Sequence, residues 1–69
     1  MMMYRYFLPE RPPMPGTVPK HDLDHVCEFD SKMMVLFENG RMVECYGYAE
    51  YSKPLTEQEI KEYELIPGD

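Results

Sequence analysis

The sequence predicts an α+β domain: a small antiparallel sheet of three or four strands with one C-terminal helix packed on one face. Two apolar runs flank Asn39-Gly40, the dipeptide that two-residue hairpin turns favour most strongly. A helix-capping signal at Thr56 begins a short amphipathic segment near the C-terminus. The 69 residues suit a single domain, residues 1–69, which has too little chain to cover both faces of a sheet.

The first third of the chain is predicted to be one strand followed by a connector. Residues 1–8 are rich in aromatic and apolar side chains, and Pro9 ends the strand because proline cannot donate to a ladder. Residues 9–24 form a proline-rich connector and a loop, since repeated prolines favour extended chain over helix. The pattern leaves open whether this connector packs on its own domain or swaps into a second copy.

Residues 25–51 are predicted to form an antiparallel meander. His25–Phe29 resembles a short strand, and Asp30–Lys32 resembles the turn that leads into the central hairpin over Met33–Tyr51. A type I′ turn with positive φ at both Asn39 and Gly40 closes the hairpin. This turn sets the register, in which the residues before and after it face each other in order.

The predicted register divides the hairpin into two largely apolar faces, because side chains alternate along a strand. One face has small side chains along its second strand and suits a packed helix; it holds Met34, Leu36, Val43, Cys45, Gly47 and Ala49. The other is bulky and is the predicted interaction face; it holds Met33, Val35, Phe37, Met42, Tyr46 and Tyr48.

The C-terminal helix is predicted within residues 55–65, over Glu57–Glu64. Thr56 is a natural N-cap, and Glu59 three residues later completes a capping box. The helix directs Ile60 and Tyr63 towards the sheet, and Pro67-Gly68 ends the fold.

Composition limits the function classes. The net charge of −6 argues against direct nucleic-acid binding, which depends on neutralising phosphates. The apolar N-terminal stretch is too short for a signal peptide or a membrane span, so a cytoplasmic protein is expected. Cys27 and Cys45 are interpreted as small buried residues with reduced thiols.

The sequence contains no recognisable catalytic, cofactor or metal site. His21, His25, Cys27 and Cys45 do not follow a standard zinc spacing. The histidine and cysteine pair at positions 25 and 27 has no evident third group to orient a nucleophile. The carboxylates between positions 22 and 30 do not form a calcium loop. The prediction is therefore no enzyme and no cofactor.

Both ends of the chain resemble short proteins of Gram-positive bacteria that mobile elements such as conjugative transposons and prophages encode. The resemblance covers about half of the chain and rests on Tyr4–Pro13, Pro15-Gly16, Gly47–Tyr51, Pro54–Thr56 and Tyr63–Pro67. Those proteins have no assigned activity, so the resemblance implies a mobile-element protein but assigns a role to no residue.

The leading hypothesis is a non-enzymatic protein-interaction module. One helix cannot cover two apolar sheet faces, so a homodimer, or a complex with another protein, is expected to cover the bulky face. The alternative is an acidic inhibitor that imitates nucleic acid and acts on a DNA-processing protein. That alternative rests on the net charge of −6 and on the mobile-element resemblance, and it requires carboxylates aligned on one surface.

Overall fold

A computed structural model of the chain describes residues 3–68. Within them, one antiparallel sheet contains β1 (Tyr4–Leu8), β2 (Leu23–Leu36), β3 (Met42–Tyr51) and β4 (Ile66–Pro67), in the order β2-β3-β1-β4. The helix α1 (Glu57–Glu62) lies between β3 and β4 in the chain. The α+β prediction is confirmed. The start of the predicted first strand, Met1 and Met2, lies outside the described residues.

The core lies on one face of the two central strands. In β3, the alternate residues Cys45, Gly47, Ala49 and Tyr51 are buried, while the residues between them are half-buried. Across the β1–β3 pairing, Leu8 lies opposite Gly47. Leu8, Ala49 and Tyr51 belong to a cluster of buried side chains that also contains Tyr6, Val18, Leu55 and Leu65.

The proline-rich connector packs onto this core of its own chain. Val18 belongs to the core cluster, and Pro19 is buried. The Tyr51 hydroxyl donates a hydrogen bond of 2.6 Å to the carbonyl of Pro19. Gly47 leaves room for the connector: a Cβ there would lie 3.0 Å from Cγ of Pro13 and 2.2 Å from the carbonyl oxygen of Cys27. A side chain at position 47 would therefore push β2 away from β3 and also press against the connector.

The helix begins as predicted and ends earlier. The Thr56 side chain accepts a hydrogen bond from the Glu59 amide, and the Glu59 carboxylate accepts one from the Thr56 amide, so the capping box is confirmed. The helix stops at Glu62 instead of Glu64. Glu64 has a positive φ of 54°, and the Leu65 amide donates back to the Ile60 carbonyl, which is the hydrogen-bond pattern of a Schellman C-terminus.

The second strand differs from the predicted meander. Residues 25–36 were expected to form a strand, a turn and a second strand, whereas β2 runs through from Leu23 to Leu36. Glu28 pairs with Gly47 and Met33 pairs with Cys45, so residues 29–32 lie opposite Tyr46 alone. An irregularity of this kind, a β-bulge, absorbs extra residues without ending the strand. The polar run Asp30–Lys32 is therefore part of a strand.

The predicted type I′ turn is wrong. The Phe37 amide donates to the Arg41 carbonyl, the Gly40 amide donates to the Phe37 carbonyl, and of the two predicted turn residues only Gly40 has positive φ. This is the longer hairpin turn in which a residue with positive φ forms a bulge. Leu36 consequently pairs with Met42, whereas the predicted turn would place it opposite Val43.

A candidate protein-interaction surface

The end of the β2–β3 hairpin exposes apolar side chains. Met33, Met34, Leu36 and Met42 are 53–67% exposed and are called the hairpin end below. Elsewhere in residues 3–68, the exposed large apolar side chains are Met14 on the connector and Val26 on β2. Single exposed apolar residues are ordinary, but a group of four on neighbouring strands is typical of a contact surface.

The observed register divides the predicted interaction face. Residues directly opposite each other in an antiparallel pair share a face, and a slip of one residue reverses the faces of one strand. Met42 keeps Tyr46 and Tyr48 on its side of β3, but Met33 and Val35 pair with Cys45 and Val43 on the other side. The grouping of these residues was therefore wrong, while their role in binding stays a prediction.

The residues nearest the hairpin turn pair differently from the prediction. Leu36 lies opposite Met42, and Met34 lies opposite Glu44, so these side chains share one face of the hairpin. Met33, opposite the fully buried Cys45, is itself 53% exposed. Met33 and Met42 were predicted to be contact residues, whereas Met34 and Leu36 were assigned to the packed face.

Tyr48 is the centre of an aromatic cluster nearer the middle of the sheet. Its ring centroid lies 5.7 Å from that of Phe7, 6.0 Å from that of Phe29 and 6.5 Å from that of His25. The guanidinium carbon of Arg5 lies 4.2 Å from the Tyr48 centroid, a cation–π distance, and Arg5 also forms an ion pair of 2.8 Å with Glu50. Neighbours of the same chain thus partly cover Tyr48, which makes it a poor anchor for a partner.

Phe37 joins the hairpin turn to the middle of the sheet. Its ring meets that of Phe7 edge to face, with centroids 5.5 Å apart. A cleft of about 250 Å³ beside Phe37 is lined by Arg5, Phe7 and Val35, among others. A second cleft of about 310 Å³ runs between the turn and β4 and is also lined by Phe37. Both clefts are open and shallow, so a flat partner surface fits this region better than an enclosed small molecule.

Charged groups occupy the outer strand β2. Asp24, Glu28 and Asp30 are exposed along it, and Lys32 follows. The Lys32 ammonium lies 4.7 Å from the Tyr46 ring centroid. Its hydrogen bond with the Tyr46 side chain raises the pKa of Lys32 above the ordinary value, so the group is positive at neutral pH. The strand thus contains three carboxylates and one ammonium next to the hairpin end.

Of the histidines and cysteines, those at positions 25 and 27 lie together on β2, where Cys27 is half-buried. His21 lies between Asp22, at 3.1 Å, and the Glu59 carboxylate. Cys45 is fully buried, and desolvation raises the pKa of its thiol, which disfavours the reactive thiolate. Over residues 3–68, no three His, Cys, Asp or Glu side chains are grouped closely enough to hold a metal ion. The helix in the described part of the chain is neither long nor apolar enough to cross a bilayer.

These features define a class of protein: a small α+β domain with a packed sheet face and an apolar surface at the end of its hairpin. The chain belongs to the family described as "Defence against restriction A C-terminal", whose model matches residues 1–69. No curated protein and no solved structure matches the chain.

Proposed function

We propose that this domain is a non-enzymatic protein-interaction module that takes part in defence against restriction and acts as a homodimer through its hairpin end. The observation that carries the proposal is the group of exposed side chains Met33, Met34, Leu36 and Met42. The family description supplies the biological setting.

The apolar side chains of the hairpin end support a docking role. Methionine is unbranched and polarizable, so it adapts to different partner surfaces, and it is enriched at interface cores. Leu36, 67% exposed, is the most exposed large apolar side chain among residues 3–68. Burying these side chains against a partner would remove apolar area from water, which is the main favourable term in association.

A role in defence against restriction fits the resemblance to mobile-element proteins. Restriction enzymes cleave incoming DNA, so an element that enters a new cell gains from a protein that blocks them. The net charge of −6 favours action on a protein over direct coverage of the DNA.

A restriction assay with a matched pair of variants tests this proposal. Unmodified plasmid DNA is introduced into restricting cells that express the chain, and transformants are counted against cells without it. We expect protection by the wild type, loss of protection in Leu36→Asp, and full protection in Met14→Asp. Met14 is a suitable control because it is 54% exposed but lies on the connector. Absence of protection by the folded wild-type chain, or protection equal in both variants, would contradict the proposal.

The acidic inhibitor is the second candidate, and the exposed carboxylates of Asp24, Glu28 and Asp30 on one strand favour it. Phosphate imitation depends on charge, whereas apolar docking does not. The double variant Asp24→Asn/Glu28→Gln removes two of the charges and leaves the hairpin end intact. If this variant loses protection while Leu36→Asp keeps it, the acidic surface is the active one.

A further inference from the structure

We propose that two copies of the chain pair antiparallel through the last residues of their β2 strands, over positions 33–37, with Val35 of each copy on the twofold axis. This inference rests on the proposed function, because it gives a geometry to the homodimer. Pairing along a sheet edge is a common mode of association, since an edge strand presents main-chain donors and acceptors.

The end of β2 has an open outer edge. The strand is first in the sheet order β2-β3-β1-β4, and within residues 3–68 no other strand pairs with its outer side. Val35, Leu36 and Phe37 are consecutive, and all three line the open cleft of about 250 Å³. Consecutive side chains alternate between the faces of a strand, so a cleft that all three line runs along the edge. The edge therefore has room for a second strand.

The segment has two well-defined faces because its pairing is regular. The last four residues of β2 pair one to one with β3, and they follow the irregular stretch of the strand. Pairing around Val35 stays within this regular part, so residues set opposite each other lie on the same face. Met34 of one copy faces Leu36 of the other on one side of the sheet, and Met33 faces Phe37 on the other side. A twofold interface is self-complementary, so each pair occurs twice.

Main-chain hydrogen bonds fit the same register. The Phe37 amide donates to the Arg41 carbonyl, so the main-chain groups of Phe37 point towards β3. This direction alternates along a strand, and the N–H and C=O groups of Met34 and Leu36 therefore point outwards. Pairing around Val35 sets these two residues opposite each other. Each such pair can exchange both of its hydrogen bonds, while the two Val35 residues on the axis exchange none.

Apolar exposure favours a contact at this segment. Met33, Met34 and Leu36, three of the four side chains of the hairpin end, belong to it, and each is more than half exposed. Apolar cross-strand pairs stabilise an antiparallel pair of strands. Pairing would therefore remove apolar area from water on both faces of the joined sheet.

Charges at the ends of the segment select this register and the second copy as the partner. Lys32 precedes the segment and Glu38 follows it, so pairing around Val35 brings Lys32 of each copy to Glu38 of the other. Centring the pair on Met34 would set Lys32 opposite Leu36. Centring it on Leu36 would set Glu38 opposite Met34. Both alternatives place a charge against an apolar side chain, which is unfavourable, so the complementary register is the one around Val35.

Crosslinking tests the register in a chain that carries Cys27→Ser and retains the buried Cys45. Opposed Cα atoms that exchange no hydrogen bonds are about 4.5 Å apart, a distance that a disulfide spans. Val35→Cys is therefore expected to form an intermolecular disulfide under mild oxidation. Leu36→Cys is the matched control, because in this register the two copies of residue 36 are about 8.5 Å apart, too far for a disulfide. Residue 36 is the more exposed of the two positions, so random collisions would crosslink the control first.

Charge reversal provides an independent readout by light scattering over a range of concentrations. The wild type is expected at twice the 8.2 kDa mass of the chain. Lys32→Glu and Glu38→Lys each replace an attractive pair by a repulsive one at both ends of the interface, and each is expected to weaken the dimer roughly tenfold. The double variant Lys32→Glu/Glu38→Lys restores opposite charges and is expected to recover the wild-type dissociation constant. Circular dichroism checks that each variant is folded.

The outcomes separate this inference from the proposed function. A dimer that crosslinks equally through both cysteine positions, or through neither, overturns pairing around Val35 and leaves dimerisation in another geometry. A double variant that dimerises no better than the single variants also overturns this register. A monomer at all concentrations overturns both the geometry and the homodimer, while the restriction assay still reports whether the hairpin end meets a different protein.

Discussion

The middle of the sheet and the hairpin end are built from the same strands but differ in what covers them. Around Leu8 and Ala49, the connector and residues from the C-terminal segment close over the sheet. Around Leu36 and Met42, β2 and β3 have only each other as paired neighbours within residues 3–68. The two halves of β3 therefore differ in what they do: the second half packs into the core and stabilises the fold, and the first half exposes its side chains.

The largest expected effect comes from truncating one leucine in each region. Leu8 is 1% exposed and Leu36 is 67% exposed. Leu8→Ala is expected to lower the free energy of unfolding by about 3.5 kcal/mol, because it leaves a cavity in the core. Leu36→Ala is expected to change it by less than about 0.5 kcal/mol. Urea unfolding of both variants, at concentrations where the chain is monomeric, measures the two values. Similar losses in both would show that the hairpin end is also part of the stabilising core.

Two glycines, one in the middle of the sheet and one in the hairpin turn, extend the comparison to the backbone. Gly47→Ala is expected to cost about 3 kcal/mol, because its Cβ would meet the backbone carbonyl of Cys27 at 2.2 Å. Gly40→Ala is expected to cost about 1 kcal/mol, since nothing lies within 4 Å and only its φ of +84° is unfavourable for alanine. Thermal unfolding gives both values. Equal costs would mean that the β2 backbone at Cys27 yields easily to a Cβ at position 47.

The smallest expected effect concerns the hydrogen bond between His21, near the end of the connector, and Glu59 on the helix, which tethers the connector to the helix. Hydrogen bonds with Glu59, and then with Asp22, raise the pKa of His21 above 6.5. Hydrogen bonds from the Thr56 backbone, and then from His21, lower the pKa of Glu59 below 4.5.

The signs of these two shifts define a pH window. The raised pKa of His21 stabilises the fold fully below pH 6.5, and this contribution is lost as the pH rises through the folded-state pKa. The lowered pKa of Glu59 stabilises above pH 4.5, and its contribution is lost as the pH falls. The wild type should therefore exceed His21→Gln in stability most between pH 4.5 and 6.5, by a small amount because the groups are exposed. A difference that does not vary with pH would exclude the tether as its source.

Local sequence was sufficient to predict the packed region. The alternation along β3 placed Cys45, Gly47 and Ala49 together on the predicted packed face, where the structure buries them, because their small side chains allow close packing. Thr56 and Glu59 predicted the start of the helix, since a capping box involves only residues close in sequence. The packing of the connector was not predictable, because it depends on the space above Gly47, which is more than thirty residues away in the chain.

The hairpin end shows where local reasoning fails. Asn39-Gly40 fits two turn types that differ by one residue in register, and the backbone adopts the one with positive φ at Gly40 alone. This one-residue shift in register moved Leu36 from the predicted packed face to the highest exposure among the large apolar side chains of residues 3–68. The bulge at residues 29–32 contains the polar run Asp30–Lys32, which is equally typical of a turn. Composition placed exposed apolar side chains on this hairpin, but of the four only Met33 and Met42 had been assigned to the bulky face.

The place of β1 between β3 and β4 also determines the order in which the chain can fold during synthesis. Tyr4 leaves the ribosome 47 residues before its partner Tyr51, and Ile66, which pairs with Phe7, follows later still. The β2–β3 hairpin, which is local in sequence, can form while β1 waits. Contacts between residues so far apart slow folding, because a long loop must close before they form. A nascent chain therefore exposes its aromatic first strand until β3 is made, and one edge of that strand until β4 follows.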